Sequence, residues 1–190
     1  MNYRELFRRL GVLIVAPKKA WMEIVSESPR RDVMATFVYP IIALGGLMVL
    51  LSALVGRGLQ RVTFHSAMMD ICNYCISLFG GFFLAAYLID LVGQKYLMRS
   101  ANMAVAQLFA GYAMGVVFAA DVVVAIFPQF FIFKWVLMAY TLYIVWEGSD
   151  VVFAVGEERR MTFTALAAGA VVVSPVFIRM LFNTLSNLLG

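Results

Sequence analysis

Apolar runs alternate with short polar connections along this chain, and five of the runs are long enough to be measured against a bilayer. An α-helix rises 1.5 Å per residue, so roughly 20 residues cross a hydrocarbon layer of about 30 Å. Residues 33–56 carry no charged side chain and pass that test. So does the stretch from Ile71 to Ile89, bounded by Asp70 and Asp90 and containing Gly80 and Gly81, which predicts a second span over about 70–92. A third span, about 104–127, has Asp121 as its only charged residue and stops at Pro128 and Gln129, a hairpin signal. The fourth, about 130–147, carries Lys134 near its start and has a helical continuation open to it through Asp150 towards Val155. The fifth, about 161–182, contains Pro175, a predicted kink, and Arg179 near its far end.

The first 32 residues follow a different pattern. Tyr3, Leu6, Phe7, Leu10, Leu13 and Ile14 recur at spacings of three and four, with Arg4, Glu5, Arg8 and Arg9 between them, which is the signature of an amphipathic helix. Pro17 is placed to open a second short helix with Trp21, Met22, Ile24 and Val25 opposite Lys18, Lys19 and Glu23. Such helices are expected to lie in the headgroup region, with Trp21 at the interface, either simply tucked against the leaflet or docking a partner through Pro17, Trp21, Arg8 and Arg9. Arg8 and Arg9 interrupt the early apolar run and no small-residue cleavage site follows, so no cleavable signal peptide is expected. The expected organisation is a cytoplasmic, interfacial leader over 1–32 and a five-span domain over 33–190, an all-α bundle and polytopic integral membrane protein.

Composition strengthens that reading. Hydrophobic residues make up 63% of the 190 and charged residues 14%, against about 45–50% and about 25% in an ordinary soluble domain. Eleven of the fifteen Lys and Arg residues fall in the leader and in the second and fourth connections, where Lys95, Arg99, Arg159 and Arg160 lie. Since Lys- and Arg-rich segments stay on the cytoplasmic side, the N-terminus is expected inside and the C-terminus outside. The net charge of +4 is then mostly topological, and nucleic-acid binding is excluded because the basic residues form no long run interleaved with aromatic residues.

With the segment "APKKAWMEI" around Pro17 and Trp21, five apolar spans, and Gly111 with Tyr112 in "AGYAMG", the chain resembles the Yip1 family of small polytopic membrane proteins, most closely its bacterial branch. Eukaryotic relatives usually carry an acidic, aromatic Gly-Pro motif before the first span and a proline after the Gly-Tyr pair; this chain has neither, and Gly115 stands near the second position. The resemblance implies a helical membrane adaptor that binds other proteins, with Rab-type GTPases and vesicle traffic as the eukaryotic setting. For a bacterial member it implies the inner membrane and a different protein partner.

Charged groups at bilayer depth are costly and normally face protein or water. By their heights in the spans, Asp70, Asp121, Lys134 and Arg179 are expected to gather towards the outer side, with Asp121 and Arg179 as an ion pair. A second group, Asp90, Glu147, Asp150, Arg159 and Arg160, with Lys95, Arg99, Glu157 and Glu158, is expected at the cytoplasmic face as topology-fixing interface charge, a docking surface or the mouth of a polar path. Gly111 and Gly115 have G-x-x-x-G spacing, which serves packing within the bundle or a homodimer through the third span. Cys72 and Cys75 form a lone C-x-x-C, and a zinc site built from them with His65 and Asp70 would draw every ligand from one segment, so no metal or cofactor is expected. No nucleophile elbow, phosphate-binding glycine loop or H-E-x-x-H occurs, and an enzyme is not expected. The preferred reading is a non-enzymatic adaptor or scaffold; the alternative is a small transporter or channel using Asp90, Asp121 and Glu147 with Pro40 and Pro175, although no inverted repeat is visible.

Overall fold

In a computed structural model, which describes residues 3–27, 32–56, 64–98, 100 and 102–189, the elements are all helical. The leader forms α1 (Tyr3–Val15) and α2 (Pro17–Glu27); the apolar runs form α3 (Tyr39–Gly56), α4 (Phe64–Leu97), α5 (Met103–Ile126), α6 (Phe131–Phe153) and α7 (Glu157–Leu189). Five helices are long and apolar enough to cross a membrane, and the chain is a multi-pass membrane protein.

Local chemistry explains most of the boundaries. Asp32 accepts a hydrogen bond from the Met34 amide at 2.9 Å and so opens the first span. A π-helical stretch, Met34–Val38, leads into α3 just ahead of Pro40, whose ring and missing N–H disturb the regular i−4 pattern. Asn102 caps α5, its side chain accepting from the Val105 amide at 3.2 Å. A short 3-10 turn, Pro128–Phe130, makes the tight hairpin into α6. At the other end of α6, Ala154 takes a left-handed conformation with φ 48° and closes the helix.

Helix ends and membrane edges do not coincide. The predicted second span over 70–92 lies inside the 34-residue α4, and the fourth continues past Glu147 to Phe153. The charged residues of Glu157–Arg160 are the first turn of α7, so the fifth span is only part of a 33-residue helix. Once outside the hydrocarbon a helix can continue in water, so its ends are set by caps and prolines rather than by loss of hydrophobicity. Pro175 sits inside α7 without ending it.

α5 is the centre of the bundle: 67% of its membrane window is buried, against 33–39% for the other four. It packs against α3, α4 and α6, while α4 and α7 form the most extensive helix pair. The leader belongs to this core. Leu6, Leu10, Leu13, Ala20, Trp21 and Ile24 are buried in the same cluster as α5 residues Phe109, Tyr112 and Phe118. Trp21, expected at the lipid interface, is fully buried. Amphipathic spacing identifies an apolar face but does not say whether lipid or protein covers it.

Candidate functional site

The seat of the leader is the most elaborate piece of side-chain chemistry in the molecule. Trp21 of α2 stacks on Phe109 of α5, with centroids 5.0 Å apart and planes 19° apart, and meets Tyr112 edge-on at 6.3 Å. Its indole N–H donates to the Ile144 carbonyl of α6 at 2.9 Å, satisfying the one polar atom that burial would otherwise orphan. Gly148 makes the space: a Cβ there would lie 2.5 Å from the indole ring. Any side chain at 148 therefore competes directly with Trp21.

Arg9 closes the seat from α1. Its guanidinium donates to the Tyr112 hydroxyl at 3.2 Å and to Glu5 at 2.9 Å, and it pairs with Glu27 at the end of α2. Partial burial opposes the charged form of Arg9, but the hydrogen bonds to Glu27 and Glu5 outweigh it and raise its pKa further, so the guanidinium is a permanent cation. One side chain thus ties α1, α2 and α5 together. Tyr140 of α6 adds a fourth tie, donating to the Ile14 carbonyl at 2.7 Å. Tyr112→Phe removes one charge-assisted bond and is expected to cost about 1–2 kcal/mol. Arg9→Met, which removes the bonds to Tyr112, Glu5 and Glu27 together, should cost more, read as the thermal midpoint of the detergent-purified protein. Equal midpoints for Arg9→Met and the parent would remove Arg9 from this role.

The glycines of the third span serve the same assembly. A Cβ on Gly115 would come within 2.7 Å of the Phe37 ring and 3.3 Å of Leu10, and one on Gly111 within 3.0 Å of Val38. Phe37 in turn lies 4.4 Å from the Tyr112 ring. This face of α5 is filled by the chain's own α1 and first span, so a homodimer through Gly111 and Gly115 would have to displace them. Of the other leader residues singled out by sequence, Pro17 is buried at the start of α2. Arg8 faces water in a 3.5 Å pair with Glu23 that adds little stability.

The intramembrane charges pair differently from the sequence expectation. Asp121 meets Lys134 at 2.5 Å, both largely buried, and among the described residues no salt bridge joins Asp121 to Arg179 on α7, although both act electrostatically on the Tyr74 hydroxyl. The reason is the hairpin: Asp121 precedes the Pro128 turn by seven residues and Lys134 follows it by six, so antiparallel α5 and α6 bring them level. Height in a span was readable, but the neighbouring helix was not; symmetric spacing about the turn was the missed signal. Asp70 lies half-buried in the second turn of α4. A double-mutant cycle separates the alternatives. Asp121→Asn with Lys134→Gln should show coupling of about 1–2 kcal/mol, while Asp121→Asn with Arg179→Gln should be closer to additive. Coupling confined to Arg179 would refute the Lys134 pairing.

At the opposite end of the spans the expected polar cluster resolves into separate fasteners. Asp90 accepts from the Asn102 amide at 2.9 Å and from Gln94 at 2.8 Å, holding the α4–α5 connection beside a small cavity of about 150 Å³. Arg160 reaches Asp150 at 3.9 Å, lies 4.5 Å over the Trp146 ring and donates to the Trp146 carbonyl at 3.1 Å. Arg159 donates to the Tyr96 carbonyl at 2.7 Å, bridging α7 to α4. Glu147 is half-buried on α6, and Arg99 lies outside the described residues. Asp90 touches Asn102 at the start of α5, whereas Asp121 lies 19 residues further along that helix, roughly 28 Å by its rise. They cannot belong to one binding site. Cys72 and Cys75 are free, half-buried thiols on α4, and His65 is exposed.

What sequence reasoning missed here is Gly148, the Ile144 carbonyl and the Glu5–Arg9–Glu27 clamp. Only the i,i+4 spacing of Glu5 and Arg9 was visible in advance. A family model described as the Yip1 domain matches residues 10–179, a range that begins inside α1 and takes in Trp21, Tyr112 and Gly148. No curated protein and no solved structure matches the chain.

Proposed function

We propose, from the premise that this chain belongs to the Yip1 family, that it is a non-enzymatic adaptor whose docked leader is its partner-binding surface. Members of the family are generally non-enzymatic membrane proteins. The observation that carries the reading is the division of labour within α1 and α2. Their inner faces are locked into the bundle by Trp21 and Arg9, and their outer faces present Arg4, Arg8, Lys18 and Lys19 with Tyr3, Phe7 and Met22, all exposed. A surface fixed in this way loses little freedom on binding, and its basic-aromatic character suits an acidic protein surface at the membrane. The distribution of basic residues favours this surface facing the cytoplasm, and the resemblance of the leader to the bacterial branch favours a bacterial inner membrane.

Deleting the leader would open the core, so the test has to leave the buried face intact. A photo-crosslinking residue at Phe7 in native membranes should give a discrete protein adduct. That adduct should disappear when Arg4, Arg8, Lys18 and Lys19 are all changed to Gln, with the thermal midpoint unchanged. Lipid adducts alone, or protein adducts indifferent to the four changes, would overturn the assignment. The transporter reading draws little from the geometry, because Asp90 and Asp121 are fasteners at opposite ends of the spans.

A further inference from the structure

Between α4 and α7 runs an apolar groove of about 520 Å³, walled by Leu84, Leu88 and Val92 on one side and by Leu166, Gly169 and Val173 on the other. That volume falls within the roughly 300–1,000 Å³ range of sites that hold a small molecule. The leader, bound to α5 and α6, leaves it uncovered. On each wall the apolar row ends in a cation. Lys95 follows Leu88 by seven residues and Arg159 precedes Leu166 by seven, so each lies two turns along the same helical stripe as the lining residues. Both cations contact Tyr96: Arg159 donates to its carbonyl at 2.7 Å, and the Lys95 ammonium lies 5.9 Å from its ring centre. Both cations are exposed, with Glu157 and Glu158 preceding Arg159 in the same first turn of α7.

We infer that this groove is a phospholipid site, with one acyl chain lying between α4 and α7 and an anionic headgroup phosphate held by Lys95 and Arg159. A greasy channel at bilayer depth ending in paired cations matches both halves of such a molecule, and basic pockets between transmembrane helices are a recognised way of holding anionic headgroups. The arrangement is independent of the leader and of the adaptor reading.

The test uses the full chain in neutral detergent, with phosphatidylglycerol as probe and phosphatidylcholine as comparator, read by native mass spectrometry. The parent should retain one phosphatidylglycerol in preference to phosphatidylcholine. Lys95→Gln with Arg159→Gln should weaken retention roughly tenfold or more, since each basic residue near an anionic surface contributes about a factor of five. Gly169→Leu should abolish it by filling the groove. Nothing lies within 4 Å of a Cβ built at Gly169, so that variant should melt no lower than the parent. Lys95→Gln alone, which leaves the Arg159–Tyr96 bridge intact, guards against a folding defect in the double variant. Equal retention of the two lipids, retention unchanged in every variant, or a dimer that Gly169→Leu dissociates would each overturn the inference.

Discussion

Trp21→Ala is expected to destabilise the purified protein by about 3 kcal/mol, towards the low end of the about 3–5 kcal/mol range for large aromatic truncations. Three losses combine. The indole is fully buried, so its removal leaves a cavity lined by Phe109, Tyr112 and Gly148. The Ile144 carbonyl loses its 2.9 Å donor, and the stacking on Phe109 goes with the ring. The low end is expected because an undocked leader is not released into water. Its apolar face can lie on the bilayer, where a tryptophan is comfortable, so the loss is mostly one of packing rather than of hydrophobic transfer. The readouts are the thermal midpoint in detergent and proteolysis at Lys18 and Lys19, which should accelerate as α2 leaves its seat. Trp21→Phe keeps most of the volume and loses the hydrogen bond, for a smaller cost of about 1 kcal/mol. Unchanged protease resistance in Trp21→Ala would mean that the leader is held by something other than this side chain.

Gly81→Leu should prevent the bundle from assembling, and even Gly81→Ala should cost about 1–3 kcal/mol by overpacking. A Cβ at 81 would sit 2.6 Å from the Pro175 Cα and 2.8 Å from its nitrogen. Those are backbone atoms of a rigid residue within a helix, and they cannot rotate aside as the end of a long side chain can. The only relief is to move α4 away from α7, which disturbs the largest interface in the molecule. Gly11→Ala supplies the control: nothing lies within 4 Å of its Cβ, and helix propensity alone should raise stability by about 0.4–1 kcal/mol. The comparison is made on size-exclusion profile and thermal midpoint. A Gly81→Ala protein as stable as the Gly11→Ala variant would show that α4 and α7 are not this close.

These two sites differ in how far they could be read in advance. Gly80 and Gly81 are visible as a pair of small residues in the second span, and small residues mark helix contacts. Gly80 meets Ile178 and Gly81 meets Pro175, which stood out only as a kink candidate, and nothing in its spacing relates it to residue 81. Trp21 stood out as an aromatic on an amphipathic helix, but headgroups and a protein cleft select the same pattern. The sequence places Asp121 and Lys134 in the same outer group of charges, but height along the bilayer favours Arg179 as the partner of Asp121, whereas distance from the Pro128 turn favours Lys134.

The chain on its own determines the number of crossings, the helical character of every span and the amphipathic build of the leader. Each of these is a sum over one helix of residue-by-residue transfer between water and hydrocarbon. Composition is sufficient information for such a sum. Which surfaces meet is a different quantity. Lipid tails are as apolar as leucine, so hydrophobicity does not distinguish a face turned to lipid from one turned to a neighbour. That choice depends on shape and on single polar partners: the notch at Gly148, the carbonyl of Ile144, the carboxylates around Arg9 and the bare backbone at Gly81. Ile144 and Gly148 lie far along the chain from Trp21, and Gly81 from Pro175, and only the folded arrangement of the helices brought each to its partner.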